Sequence, residues 1–136
     1  MKKLCLLAVF FGVAFAEMII PATNLPKKAQ NFIANHLNGE NVMYAEMAYD
    51  SYDVIMSSGT RIEFLESGEW KQVKCYNGVN AAILPASVAM AVAKKFPNIK
   101  IIKIQKQWDG YEIKLQNRIE AYFDTNGNLR GQRNGD

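Results

Sequence analysis

One histidine and two cysteines are the whole supply of imidazole and thiol side chains in this 136-residue chain. A serine or cysteine nucleophile needs a neighbouring base, so any such site must recruit His36, with Cys75 as its natural partner. A structural zinc site built from Cys and His takes four ligands, more than the chain supplies. The carboxylates to weigh are Glu63 and Glu120, with Glu112 in the same region. Glycoside hydrolysis uses two carboxyl groups about 5–10 Å apart, one of them kept protonated by its surroundings. Here Lys and Arg interleave with the acids and no apolar cluster encloses any of them, so they read as solvated strand charges. The run Asp124-Thr125-Asn126-Gly127-Asn128 sets oxygen ligands at alternate positions, as a calcium loop does. Its glycine precedes the third ligand instead of following it, and no glutamate closes the loop. A tight Asn-Gly turn explains the same residues, and calcium held by Asp124, Asn126 and Asn128 is the alternative. On these counts the chain reads as a protein with neither catalytic chemistry nor a resident cofactor.

The elements that would position a site are written as a repeat. A shift of 59 residues superposes Leu25-Pro26 on Leu84-Pro85, Ala34 on Ala93, Asp50 on Asp109, Tyr52 on Tyr111, Phe64 on Phe123 and Gly68 on Gly127, without a gap. Character is kept at Ile33/Val92, Leu37/Phe96, Tyr49/Trp108 and Val54/Ile113. Two copies of one unit are therefore expected, over residues 25–76 and 84–132 of one continuous domain. Each opens with a short helix. Pro26 and Pro85 suit the first helical position, and Ala29, Ile33 and Leu37, like Val88, Val92 and Phe96, form one apolar stripe. His36 falls off that stripe and reads as solvent-facing. The period then changes to 2, predicting four strands per copy, with Asp109-Gly110 and Asn126-Gly127 as the strongest turn signals. The fold class is α+β: two tandem helix-plus-four-strand repeats forming an antiparallel sheet of about eight strands, helices on one face.

The first 16 residues read as an address. Lys2-Lys3, the apolar run from Leu4 to Val13 and Ala14-Phe15-Ala16 are the three parts of a secretory signal. The run is shorter than the roughly 20 residues that span a bilayer. With no longer run later in the chain, a soluble periplasmic product without a membrane anchor is expected, starting with a lead-in at residues 17–24. Without Lys2 and Lys3 the formal charge falls from +3 to +1, with 14 basic against 13 acidic residues. That is no electrostatic footprint for nucleic acid. Cys75 is then left without an internal disulfide partner, either as a semi-buried strand residue or in a mixed disulfide between chains.

Alternation sorts the sheet into two faces. Tyr52, Val54, Met56, Ile62 and Phe64, with Tyr111, Ile113, Leu115, Ala121 and Phe123, belong under the helices. The opposite face carries Ile55, Arg61, Glu63 and Leu65 from the first copy and Lys114, Glu120 and Tyr122 from the second. This mixture of charge with a few apolar and aromatic side chains is the candidate contact surface for an unknown protein or peptide.

Leu-Pro before each helix, Asp50-Ser51-Tyr52-Asp53-Val54, Phe64-Leu65-Glu66-Ser67-Gly68-Glu69-Trp70, Asp109-Gly110-Tyr111-Glu112-Ile113 and Phe123-Asp124-Thr125-Asn126-Gly127 complete a pattern covering nearly the whole exported chain. It resembles the PepSY-like, beta-lactamase-inhibitor-like family of small exported bacterial proteins. The resemblance implies a continuous antiparallel sheet with helices on one side. It also implies a binding role through the open face, as in a beta-lactamase inhibitor of similar architecture. No partner-contacting residue of that inhibitor maps onto this chain. The functional expectation is a non-enzymatic periplasmic binding module, with inhibition as the narrower role that the resemblance implies, and a calcium- or small-ligand-responsive sensor module as the alternative.

Overall fold

Each helix begins immediately after a proline. In the computed structural model, which describes residues 18–135, Pro26 and Pro85 keep extended backbone at ψ 149°. Helices α1 (Lys27–His36) and α2 (Ala86–Lys95) start one residue later. The prolines thus sit at the N-cap and not at the first helical position, and their missing N–H takes nothing from the helical ladder. The expected export signal, Met1–Ala16, lies outside the described residues.

The strands are β1 (Met18–Ile19), β2 (Val42–Met47), β3 (Ser51–Met56), β4 (Arg61–Leu65), β5 (Trp70–Lys74), β6 (Ile101–Gln107), β7 (Gly110–Leu115), β8 (Ile119–Asp124) and β9 (Leu129–Asn134). They form one sheet in sequence order, every neighbour antiparallel. The expected count of about eight is corrected to nine. The extra strand lies in the lead-in, where Met18 pairs with Met47 and Ile19 with Glu46. Two residues carry no alternation to read, and β1 forms because the outer edge of β2 offers unpaired backbone groups. β9 also runs two residues beyond the expected end at 132. Short 3-10 turns at Ala22–Asn24 and Ala81–Ile83 precede the helices.

β5 and β6 join the halves. Gln72 pairs with Gln105, Val73 with Ile104 and Lys74 with Lys103, so the strands before and after the connecting segment share one ladder. Register shifts interrupt the ladders between Val42 and Tyr44, Glu63 and Phe64, Ile101 and Lys103, and Tyr122 and Phe123.

The core is built from helix residues and alternate strand residues. Val88, Val92 and Phe96 of the second half are buried as their stripe predicts. In α1 the buried residues are Ala29 and Phe32, with Leu37 just beyond, while Ile33 is only partly covered. The real stripe therefore runs through Phe32, whose ring meets Phe64 edge-on at 5.6 Å and lies 5.9 Å from Trp70. Phe96 meets Phe123 edge-on at 6.5 Å. Trp70 also stacks on Tyr111 at 6.2 Å, and the Lys106 ammonium lies 4.4 Å from the Trp70 ring centre. Burial lowers the Lys106 pKa, with Glu69 pulling the other way, and burial raises that of Tyr111.

Two glycines set how closely each helix approaches the sheet. Gly68 and Gly127 turn the β4–β5 and β8–β9 hairpins with φ of +94° and +88°, in the left-handed region that favours glycine. A Cβ on Gly68 would stand 2.8 Å from Pro26 Cβ and 3.0 Å from Lys28 Cβ, at the start of α1. One on Gly127 would stand 2.7 Å from the Ser87 carbonyl oxygen, at the start of α2. Gly68→Ala and Gly127→Ala are each expected to cost about 1–3 kcal/mol by urea unfolding, from backbone strain alone. Gly59, with φ +91° and no atom within 4 Å of where a methyl group would stand, is the control that separates strain from overlap; the two hairpin glycines should lose more than Gly59→Ala.

Candidate functional site

One face of the sheet is a grid whose rows follow from register. One row crosses β2 to β9 as Tyr44, Ile55, Arg61, Lys74, Lys103, Lys114, Glu120 and Arg133. The next row, two residues along each strand, reads Glu46, Asp53, Glu63, Gln72, Gln105, Glu112, Tyr122 and Gly131. Neighbouring strands lie about 4.8 Å apart and residues i and i+2 about 6.8 Å apart. The face therefore carries a largely basic row beside an acidic and amide row.

The expected contact residues share this face, in two groups. Ile55 lies opposite Arg61, with Glu63 two residues along from Arg61. Leu65 lies farther along the same strand, opposite Ser51, and is 41% exposed. Lys114 lies opposite Glu120, at 3.9 Å between charges, and Tyr122 lies opposite Glu112. β5 and β6 separate the groups. Between them stand Gln72, Lys74, Lys103 and Gln105, of which Gln72 and Lys74 escape a simple alternation. The β4–β5 register shift puts Trp70 and Val73, three residues apart, on the core side together, so the period-2 reading of β5 is lost.

Glu63 and Glu120 sit on strands four apart, about 19 Å by strand spacing, too far for paired-carboxylate hydrolysis. Glu120 instead accepts from Arg133 at 2.8 Å. Tyr122 stands on the open face as expected, and its hydroxyl donates to the Asp109 carboxylate in the β6–β7 turn. That hydrogen bond is the main reason its pKa is pushed up to about 12. A shallow hollow of about 170 Å³ lies between Tyr44, Ile55, Arg61, Glu63 and Lys74.

Two aromatic side chains stand out at the same end of the sheet. Tyr49 is 86% exposed in the β2–β3 turn and Trp108 is 92% exposed in the β6–β7 turn. The alternation pattern extends both strands through these residues. The structure ends the strands at Met47 and Gln107.

His36 and Cys75 line one cavity of about 270 Å³ with Glu40 and Thr60, and no hydrogen bond joins them. Cys75 is buried, and His36 is half-buried against the Phe32 ring, with centroids 4.7 Å apart, and not solvent-facing. Glu40 Oε1 in that cavity has no partner among the described residues. At the β8–β9 turn Asp124 Oδ1 accepts from the backbone N–H groups of Asn126 and Asn128, and Oδ2 accepts from the Asn128 amide and the Arg130 guanidinium. The carboxylate is engaged as a turn clasp and an ion pair at 2.8 Å. A calcium ion at Asp124, Asn126 and Asn128 would have to displace Arg130.

The family model described as putative beta-lactamase-inhibitor-like, PepSY-like matches residues 50–131. The chain is similar to a solved structure of a putative calcium-regulated periplasmic protein from Bacteroides thetaiotaomicron, with 36% identity and a TM-score of 0.80 over 87% of this chain and 97% of that one. A putative periplasmic protein from Bacteroides vulgatus is similar at 35% identity and a TM-score of 0.79, over 87% and 97% of the two chains. A second from that organism stands at 27% identity and 0.79, over 87% and 99%. No curated protein matches the chain.

Backbone N–H donation from Asn128, with the Asn128 amide, Asn126 and Arg130 adding to it, holds the Asp124 carboxyl below its ordinary 3.8, at about 2. A folded pKa below the unfolded one contributes stability that is complete above the unfolded value and is lost as pH falls towards the folded one. The wild-type thermal midpoint should therefore drop between pH 4 and pH 2 by more than that of Asp124→Asn, measured in parallel by circular dichroism.

Proposed function

The chain belongs to the beta-lactamase-inhibitor-like, PepSY-like family, and from that premise we propose a non-enzymatic periplasmic module that binds a protein or peptide through the open face of its sheet. One observation carries the reading: Ile55, Arg61, Glu63, Leu65, Lys114, Glu120 and Tyr122 fall on a single face across β3 to β8. Interfaces combine apolar and aromatic anchors with a polar surround, and exposed Tyr49 and Trp108 stand at one end of this face. Inhibition of an enzyme is the narrower form of the same proposal.

The architectural part of the proposal is two copies of one unit, both helices over the face opposite the grid. Its support is the recurrence of element bounds at 59 residues, Lys27–His36 with Ala86–Lys95 and Ser51–Met56 with Gly110–Leu115. The left-handed positions recur at the same offset, Gly39 with Asn98, Gly59 with Arg118 and Gly68 with Gly127. Contacts from Phe32 to Phe64 and from Phe96 to Phe123 support the helix placement. The periplasmic address rests on the descriptions of the Bacteroides relatives and on the Met1–Ala16 pattern. Among the described residues, no helix is long and apolar enough to cross a membrane.

A photo-cross-linking amino acid at Ile55 or Gln105 is expected to yield protein adducts in periplasm, whereas the same probe at exposed Met90 on α2 yields none. Equal yields from the two faces would reject the proposal.

A second reading, calcium sensing at Asp124, Asn126 and Asn128, draws on the relative described as calcium-regulated. The Arg130 ion pair on Asp124 opposes it. Millimolar calcium is expected to leave the thermal midpoint unchanged in wild type. A rise that disappears in Asp124→Ala would favour the second reading.

A further inference from the structure

We propose that the partner offers an acidic extended segment, and that Arg61, Lys74, Lys103 and Lys114 receive it. This inference rests on the open-face reading above. The four cations are consecutive neighbours across β4 to β7, since register pairs Arg61 with Lys74, Lys74 with Lys103 and Lys103 with Lys114. Like charges directly opposite one another on a sheet destabilise it, and this row stacks three such pairs. Neutralisation from within is sparse. Among the described residues the one ion pair in the row of four is Lys114 with Glu120 at 3.9 Å, and Glu120 is drawn closer to Arg133, at 2.8 Å. Arg61, Lys74 and Lys103 form no ion pair there. The carboxylates that could relieve them point along the next row, about 6.8 Å away along the strands.

The row spans about 14 Å, three strand spacings. An extended segment laid along it turns a side chain to the sheet about every 6.8 Å, so three alternating acidic residues cover the four cations. The second row favours a segment charged along one edge over a uniformly dense polyanion. At its centre Gln72 and Gln105 offer amides that donate to and accept from a peptide backbone, while Glu63 and Glu112 on either side repel further negative charge. A second copy of the chain fits less well. Turned over the face about an axis between the two rows, it would set Lys74 and Lys103 against Gln72 and Gln105 and leave both cations unpaired.

The test is fluorescence anisotropy of a labelled peptide of alternating Glu and Ser with the full chain, at low and at physiological salt. Binding is expected at low salt and should weaken as salt rises. The double variant Lys74→Glu with Lys103→Glu should bind at least tenfold more weakly, while Lys94→Glu with Lys95→Glu on α2 binds as wild type. The double variant should keep or raise the thermal midpoint, because two of the three like-charge pairs become Arg61–Glu and Glu–Lys114 pairs and only the central one, at positions 74 and 103, stays like-charged, and this shows that lost binding is not lost folding. Absence of peptide binding, equal binding by the double variant, tighter binding of polygalacturonate than of the peptide, or a dimer abolished by the double variant would each overturn the proposal. Cross-links from Ile55 or Gln105 to a basic or neutral protein, with the peptide silent, would overturn the acidic partner and leave the open-face reading standing. Cross-links from neither position would remove the face itself.

Discussion

The pairing of β5 with β6 is the constraint on which the open face depends. Three register pairs make it, and their two sides pull in opposite directions. Towards the core, Val73 and Ile104 are 1% and 0% exposed, and burying an aliphatic side chain contributes about 1.5–3 kcal/mol. Towards solvent, Lys74 faces Lys103, a like-charge pair of the kind that costs roughly 0.2–1 kcal/mol. The apolar side wins by a wide margin, so the seam tolerates the repulsion. Cys75, the next residue, donates its backbone N–H to Ile102 and has its side chain buried, which extends the seam past the last strand residue and withdraws the thiol from solvent.

Closing the seam turns two four-strand meanders and an edge strand into one surface. The rows of the grid exist only across it: remove β5–β6 and the basic row falls into Arg61 with Lys74 and Lys103 with Lys114. The glycine turns act where the helices meet the sheet. Gly68 and Gly127 let the starts of α1 and α2 come to contact distance, and Phe32 and Phe96 make ring contacts with Phe64 and Phe123. In the architecture we propose, with both helices opposite the grid, charged and amide side chains collect on the grid face, and partner recognition is the use we assign to them.

Much of this architecture is legible in the amino-acid sequence. The Leu-Pro starts, the turn dipeptides and the change of period from 3.6 to 2 are local signals, and each corresponds to an element within a few residues. All seven expected contact residues lie on one face because alternation holds in β3, β4, β7 and β8. What stays hidden has physical reasons. β1 is too short to show a period. Lys74 and Gln72 are masked by the register shift that sets Trp70 and Val73 on the same side. Phe32 and not Ile33 enters the core because the rotation of α1 is set by its contact with Phe64 and Trp70, partners 32 or more residues away in sequence. The exposure of Tyr49 and Trp108 depends on where two strands stop, the least defined feature of any period-2 pattern.

If the uncovered face of the sheet is the working surface, amide chemical-shift mapping of the isotope-labelled chain, titrated with the acidic peptide, will show it residue by residue. The largest changes are expected on Gln72, Lys74, Lys103 and Gln105, with Ala86–Lys95 unmoved. Changes concentrated on α1 or on α2, with the β5–β6 seam silent, would place the working surface elsewhere and contradict the open-face reading.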